Sequence, residues 1–157
     1  LTVVEKTLGP PHPFIATDLN NLALLLRKEG KYYNPEPLFR RVLAFQQKNL
    51  GPMHPDVALT MNNLALLLYT QNKYTEAEAL FRRSLHIRKK TLGPEHADVA
   101  QTLNNLAALC YDQGKHTELE TLLRRALAIN EKTLGPNHLD TVSCRKNLDA
   151  FLELKNQ

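Results

Sequence analysis

The sequence predicts an all-α protein built as a stack of antiparallel helix pairs, and three observations predict it. Leucine occurs 30 times against 9 for valine and isoleucine together, a balance that favours helix over strand. The tripeptide Leu-Gly-Pro recurs at Leu8, Leu50, Leu92 and Leu134, always 42 residues apart, with His12, His54, His96 and His138 in the same step. Residues 50–91 align with 92–133 at 26 identities in 42 without a gap, so the chain is an internal repeat.

Taken in order, residues 1–8 read as the tail of a preceding unit, residues 9–50, 51–92 and 93–134 as three full repeats, and 135–157 as a final, capping helix. In the second repeat the first helix is expected from about Pro55, a residue suited to a first helical turn, to about Gln71. The second helix is expected to start at Thr75, with Glu78 three residues on as a capping box; Thr117 and Glu120 repeat the pattern. Pro35 and Pro37 stand where the second repeat has Ala77 and Ala79, so the first repeat's second helix should start one residue late, capped by Asn34. Gly51, Gly93 and Gly135, each followed by proline, should stop the second helices.

Stepping 100° per residue sorts the faces of the first helix. Val57, Met61, Leu64 and Leu68 fall on one stripe that should pack on the partner helix. Ala58 and Ala65 lie on one flank and Leu67 on the other, ready for neighbouring repeats. Opposite the stripe stand Leu59, Asn62, Asn63, Leu66, Tyr69 and Thr70, a side with no expected intramolecular partner.

Composition excludes several classes of function. The longest apolar runs are far shorter than the roughly 20 residues of a membrane span, and a net charge of +4 without a clustered patch argues against nucleic acid. The arginine pairs Arg40-Arg41, Arg82-Arg83 and Arg124-Arg125 are half explained by Glu36, Glu78 and Glu120 four residues earlier, an ordinary helix-surface pairing. Arg88-Lys89-Lys90 ends a helix and should complement its dipole. The recurrent histidines invite a metal reading, but equivalent residues on stacked helices lie about 8–10 Å apart, whereas zinc needs ligands about 2 Å from one ion. They are therefore expected as loop or cap residues. Cys110 and Cys144 form no disulfide framework and are out of register for a mutual bond, which suggests a reducing, cytoplasmic setting. No phosphate-binding loop, zinc-binding or nucleophile-elbow motif is present, so neither an enzyme nor a cofactor is expected. The chain opens on Leu1 inside an apolar pattern, as a piece of something longer would.

Several positions carry a family resemblance. An alanine late in each first helix (Ala23, Ala65, Ala107) is followed by Gly30-Lys31-Tyr32, Asn72-Lys73-Tyr74 or Gly114-Lys115-His116, then by small Ala77 and by Phe39 or Phe81. This resembles the tetratricopeptide repeat, and the 42-residue period with Asn-Asn-Leu-Ala, Arg-Arg and Leu-Gly-Pro-x-His resembles the kinesin light chain type. The resemblance implies a right-handed superhelix whose concave face, lined by the first helices, holds an extended cargo peptide, with asparagines gripping its backbone. The matching residues are Asn20, Asn62 and Asn104, with Asn21, Asn63, Asn105 and Asn147 one position on; Lys146 breaks the first series. At the far end, Asp149 replaces the packing alanine, and a carboxylate is costly to bury, so the last helix should cap the stack.

Peptide groups can pair with asparagine amides whatever their side chains. Three asparagines making two bonds each, at about 1 kcal/mol per bond, give about 6 kcal/mol, short of the roughly 8.2 kcal/mol of micromolar binding. Side-chain anchors must add the rest. Leu24, Leu59 and Leu66 are candidates, with Tyr69 and Tyr111 as aromatic walls. Arg27, Lys28 and Lys146 give the groove cations, opposed by Asp112 and Glu153, and the lean at its N-terminal end suits an acidic peptide. The expected function is thus a binding scaffold for a protein or peptide partner. The alternative is a structural array that assembles with itself or its neighbours, through asparagines that bridge helices or through apolar residues such as Val3 and Val4 at the N-terminal end.

Overall fold

The structure, a computed structural model, describes residues 34–156. The expected tail at residues 1–8 with Val3 and Val4, the first helix of the first repeat and its candidates Asn20, Asn21, Leu24, Arg27 and Lys28 lie outside the described residues.

Six helices follow one another: α1 (Glu36–Leu50), α2 (Pro55–Thr70), α3 (Tyr74–Thr91), α4 (Ala97–Asp112), α5 (His116–Thr133) and α6 (Leu139–Lys155). There is no strand among the described residues. The closest packing is within the pairs α2–α3 and α4–α5; α1 packs on α2, α3 on α4 and α5 on α6, so each helix touches the next and the pairs stack. Of non-sequential helices, α2 also meets α4.

The expected stripe of α2 is the centre of this packing. Val57, Met61, Leu64 and Leu68 are fully buried, as are Ala58 and Ala65 on the flank and Phe81 on the partner helix. One core cluster runs from α1 to α3 and takes in Leu106 and Leu109 of α4; a second runs from Val99 to Phe151. Leu85 and Leu122 pack against both, which makes the core continuous along the stack. At the position of Ala65 and Ala107, Asp149 on α6 is exposed.

Helix ends confirm part of the expected punctuation and correct part of it. His54, His96 and His138 each accept a hydrogen bond at Nδ1 from the backbone N–H two residues on, at 3.2, 3.1 and 3.2 Å, so the recurrent histidine is the N-cap of every described first helix. Gly51, Gly93 and Gly135 lie at φ 89°, 94° and 88° and end the second helices. The capping boxes are absent: α3 and α5 start at Tyr74 and His116 with Lys73 and Lys115 as N-caps, without a side-chain cap bond. Thr75 and Thr117 are thus already inside the helix. Asn34 does accept from the Glu36 N–H at 3.0 Å, but α1 starts at Glu36, four positions later in register than Tyr74. Two prolines, one at the N-cap and one in the first turn, account for the delay.

The glutamates freed from capping tie repeat to repeat. Glu78 binds Arg82 on its own helix at 2.7 Å and Lys115 of the next repeat at 2.8 Å, while Arg82 reaches Glu118 at 2.6 Å. Glu36, Arg40, Lys73 and Glu76 form the same figure one repeat earlier. Glu120 binds Arg124 and Lys155. The lysine bond, ahead of the opposing effect of burial and the pull of the arginine, holds the Glu36 and Glu78 carboxyls below their ordinary range.

Arg88, Lys89 and Lys90 stand in the last turn of α3 as expected, and Arg88 has a further role. It is 3% exposed, and its Nη1 donates to the Asp98 carbonyl at 2.6 Å, the Thr102 hydroxyl at 2.9 Å and the Gln101 side chain at 3.1 Å. At the equivalent register the Thr60 hydroxyl donates to buried Gln46 at 2.7 Å. A polar residue at this position of a second helix therefore fastens the first helix of the following repeat: Arg88 does so through its Nη1 donor, and Gln46 through its side-chain oxygen, while the Gln46 Nε2 is buried without a partner.

Candidate functional site

The site is set by how α2, α4 and α6 present their outer sides. The fourth side of α2 is less open than its spacing suggests. Asn62 is 1% and Asn63 7% exposed, and Asn105 donates its amide to Asn62 Oδ1 at 3.1 Å. The expectation that these two amides face solvent is corrected. Adjacent first helices approach closely enough for α4 to reach a short side chain on α2, and the bond satisfies it in place of water. Leu66 and Tyr69 are partly buried against the core, Leu59 is partly buried and Thr70 is exposed.

Toward α6 the surface opens. A pocket of about 320 Å³ lies between α2, α4, α5 and α6. Tyr69, Tyr111 and Asp112 line it with Asn104 and Asn147; Ala107, Ala108, Ala150, Leu119, Leu123, Phe151 and Leu154 supply apolar lining. Its cause is legible in the repeat register: Leu66 on α2 corresponds to Ala108 on α4 and Ala150 on α6. Two side chains are cut back from leucine to alanine where the third repeat meets the final helix. A larger depression of about 700 Å³ shares Tyr111, Asp112, Phe151 and Leu154 and adds His116, Thr117, Glu120 and Lys155. His116 stacks on Phe151 with ring centroids 5.7 Å apart.

Polar groups in the pocket are held from both sides. Tyr69 donates its hydroxyl to Asp112 at 2.5 Å across the repeat boundary, and that bond, with burial and the carboxylate's charge, pushes the phenol up to about 12. Asn104 accepts from the Cys144 thiol at 3.2 Å, which orients its amide. Burial pushes the Cys144 and Cys110 thiols up to about 11, and both are free cysteines; neither is a reactive thiolate at neutral pH.

Of the sequence candidates, the structure brings Tyr69, Asn104, Tyr111 and Asn147 together at one pocket. Lys146 is exposed and outside both depressions, and Asn105 is partly buried on Asn62. Ala108, Ala150, Leu119, Leu123 and Phe151 were not singled out from sequence. The leucine-to-alanine changes at fixed register were the signal for the first two. Among the described residues no group of three or more His, Cys, Asp or Glu is placed to hold a metal ion, and no helix is long and apolar enough to cross a membrane.

The tetratricopeptide repeat pattern matches residues 14–90, 56–118 and 98–148, overlapping segments that span most of the chain. The chain belongs to the tetratricopeptide repeat family. Among solved structures, this tetratricopeptide repeat chain is similar to the nearly identical TPR-like repeats of a protein from Podosopora anserina assigned as a kinesin light chain. The TM-score is 0.81 at 26% identity, covering 93% of this chain and 69% of that one. A single-substitution form of that same Podosopora protein matches equally, at 0.81 and 26%, covering 94% and 69%. BtubC (BKLC) from P. vanneervenii shares the fold, with a TM-score of 0.78 at 23% identity, covering 96% of this chain and 61% of that one. No curated protein matches by sequence. The tetratricopeptide repeat fold is a protein-interaction scaffold of a typically non-enzymatic kind.

Proposed function

We propose that this tetratricopeptide repeat array holds an extended segment of a protein partner in the groove formed by α2, α4 and α6. The observation that carries the reading is the pocket in which two amides, Asn104 and Asn147, stand beside aromatic and apolar side chains. Amides pair with a peptide backbone of any sequence, and a desolvated pocket for one large side chain supplies the affinity that amide bonds lack. The likeness to kinesin light chain repeats supports it. The same reading sets the chain in a reducing, cytoplasmic compartment, a view supported by its two free thiols.

A structural role is favoured for part of the asparagine series. Asn62 is sealed and bonded to Asn105, as an array that uses amides for cohesion would have it. Peptides selected from a random display library on the immobilised chain separate the two roles. Asn104→Ala with Asn147→Ala is expected to weaken the selected peptides about tenfold or more while shifting the melting temperature little. Asn62→Ala is expected to lower the melting temperature, since it strands the Asn105 amide, a loss of about 1–3 kcal/mol. Undiminished peptide affinity in the double variant would overturn the groove reading.

A further inference from the structure

Resting on the groove reading above, we infer that the segment docked at the pocket between α4 and α6 presents a large apolar side chain beside a lysine or arginine. This differs from the acidic ligand suggested by the cations of the first repeat. The pocket's apolar lining and its volume of about 320 Å³ match the low end of ligand pockets, roughly 300 Å³ and up, which leaves room for one bulky side chain of a docked segment.

Charge complementarity decides the neighbour. Two carboxylates line the connected depressions, Asp112 and Glu120. Glu120 is already neutralised by Arg124 at 2.9 Å and Lys155 at 2.8 Å, which at the same time engages the lysine of the rim. Asp112 instead accepts from the Tyr69 hydroxyl, a neutral donor that aims the carboxylate without cancelling its charge. His116, the remaining titratable group apart from the tyrosines, stacks on Phe151. The uncompensated charge at the pocket is therefore negative and sits at the junction of both depressions. A carboxylate held against partly buried surface favours a cation arriving with the ligand and disfavours an anion there.

Three acetylated and amidated heptapeptides test this: Gly-Ser-Phe-Lys-Ser-Gly-Ser and the versions with Phe-Glu or Ser-Lys at its centre. Binding to the whole chain is read from NMR shifts of the Leu119, Leu123 and Ala150 methyls. The Phe-Lys peptide is expected to bind at least about threefold more tightly than Phe-Glu, and Ser-Lys more weakly than both. Asp112→Asn, which keeps an acceptor for Tyr69, should erase the difference between Phe-Lys and Phe-Glu. Ala108→Leu, which restores the residue of the second repeat, should abolish the shifts with the fold intact. If Phe-Glu equals or exceeds Phe-Lys, the charge inference is overturned and the groove reading stands. If Ser-Lys matches Phe-Lys, the apolar anchor is overturned. If none of the three moves these methyls, the pocket is not a docking site and both readings lose it.

Discussion

Asn72 is the described non-glycine residue with positive φ, at 61°, in the turn where the neighbouring repeat has Gly114 at 69°. Asparagine tolerates this region better than most residues because its short side chain bonds locally; here Oδ1 accepts from the Tyr74 hydroxyl at 2.9 Å. Asn72→Ala is expected to cost about 1–2 kcal/mol, measured as a lower urea midpoint, whereas Asn72→Gly relieves the backbone and loses only the tyrosine bond. Such turn positions were legible, because glycine or asparagine recurs at each. The fate of Asn62 was not. Periodicity gives the side of a helix on which a residue lies, but not how closely the next helix in the stack approaches that side, and the Asn62–Asn105 bond depends on that approach.

Helix boundaries show the same division. The starts of α2, α4 and α6 follow from a repeated histidine before a helical run, and the ends of α1, α3 and α5 from Gly-Pro. The capping box failed at Thr75 and Thr117 because a Ser/Thr-x-x-Glu spacing records only local geometry. Glu78 has stronger partners in Arg82 and in Lys115, a residue 37 positions away that no local pattern pairs with it. These glutamates give the stack an acid dependence. Their carboxyls titrate below the ordinary value of 4.5 in the folded chain, so below about that value the unfolded state binds more protons and stability rises with pH. The contribution is present above about 4.5 and is lost as pH falls through the lowered folded values. Glu78→Gln is expected to flatten the acid limb of a melting-temperature profile between about pH 5 and 3 and to cost no more than about 1 kcal/mol at pH 7, since these bridges face solvent.

At the scale of the molecule, stability in a stacked array is the sum of unit and junction terms, and α6 shows how the array treats its last described junction. Met61 and Leu103 are buried at a register where α6 has Arg145, which pairs with Glu131 at 2.8 Å; Ala65 and Ala107 are buried where it has exposed Asp149. Both substitutions put charge on the side where α2 and α4 receive a partner helix. Arg145→Met with Asp149→Ala is expected to create an apolar face and concentration-dependent self-association, visible as a rising sedimentation coefficient, with α-helical content unchanged. The overall architecture was legible because register repeats; of the pocket, the two leucine-to-alanine changes were legible at fixed register, but the side chains that surround them were not, because only the stacking brings those together.

The glutamate that serves an arginine in its own unit and a lysine in the next has a consequence for how such proteins lengthen. At Glu36 and Glu78 its partners lie at the same sequence offsets, four residues and 37, whereas Glu120 takes its lysine, Lys155, from 35 residues on. A gene segment duplicated in frame therefore arrives with each of its contacts already matched, upstream and downstream. Growth by whole multiples of 42 codons keeps the pairing seen at Glu36 and Glu78, while an insertion of any other length breaks that correspondence at one seam.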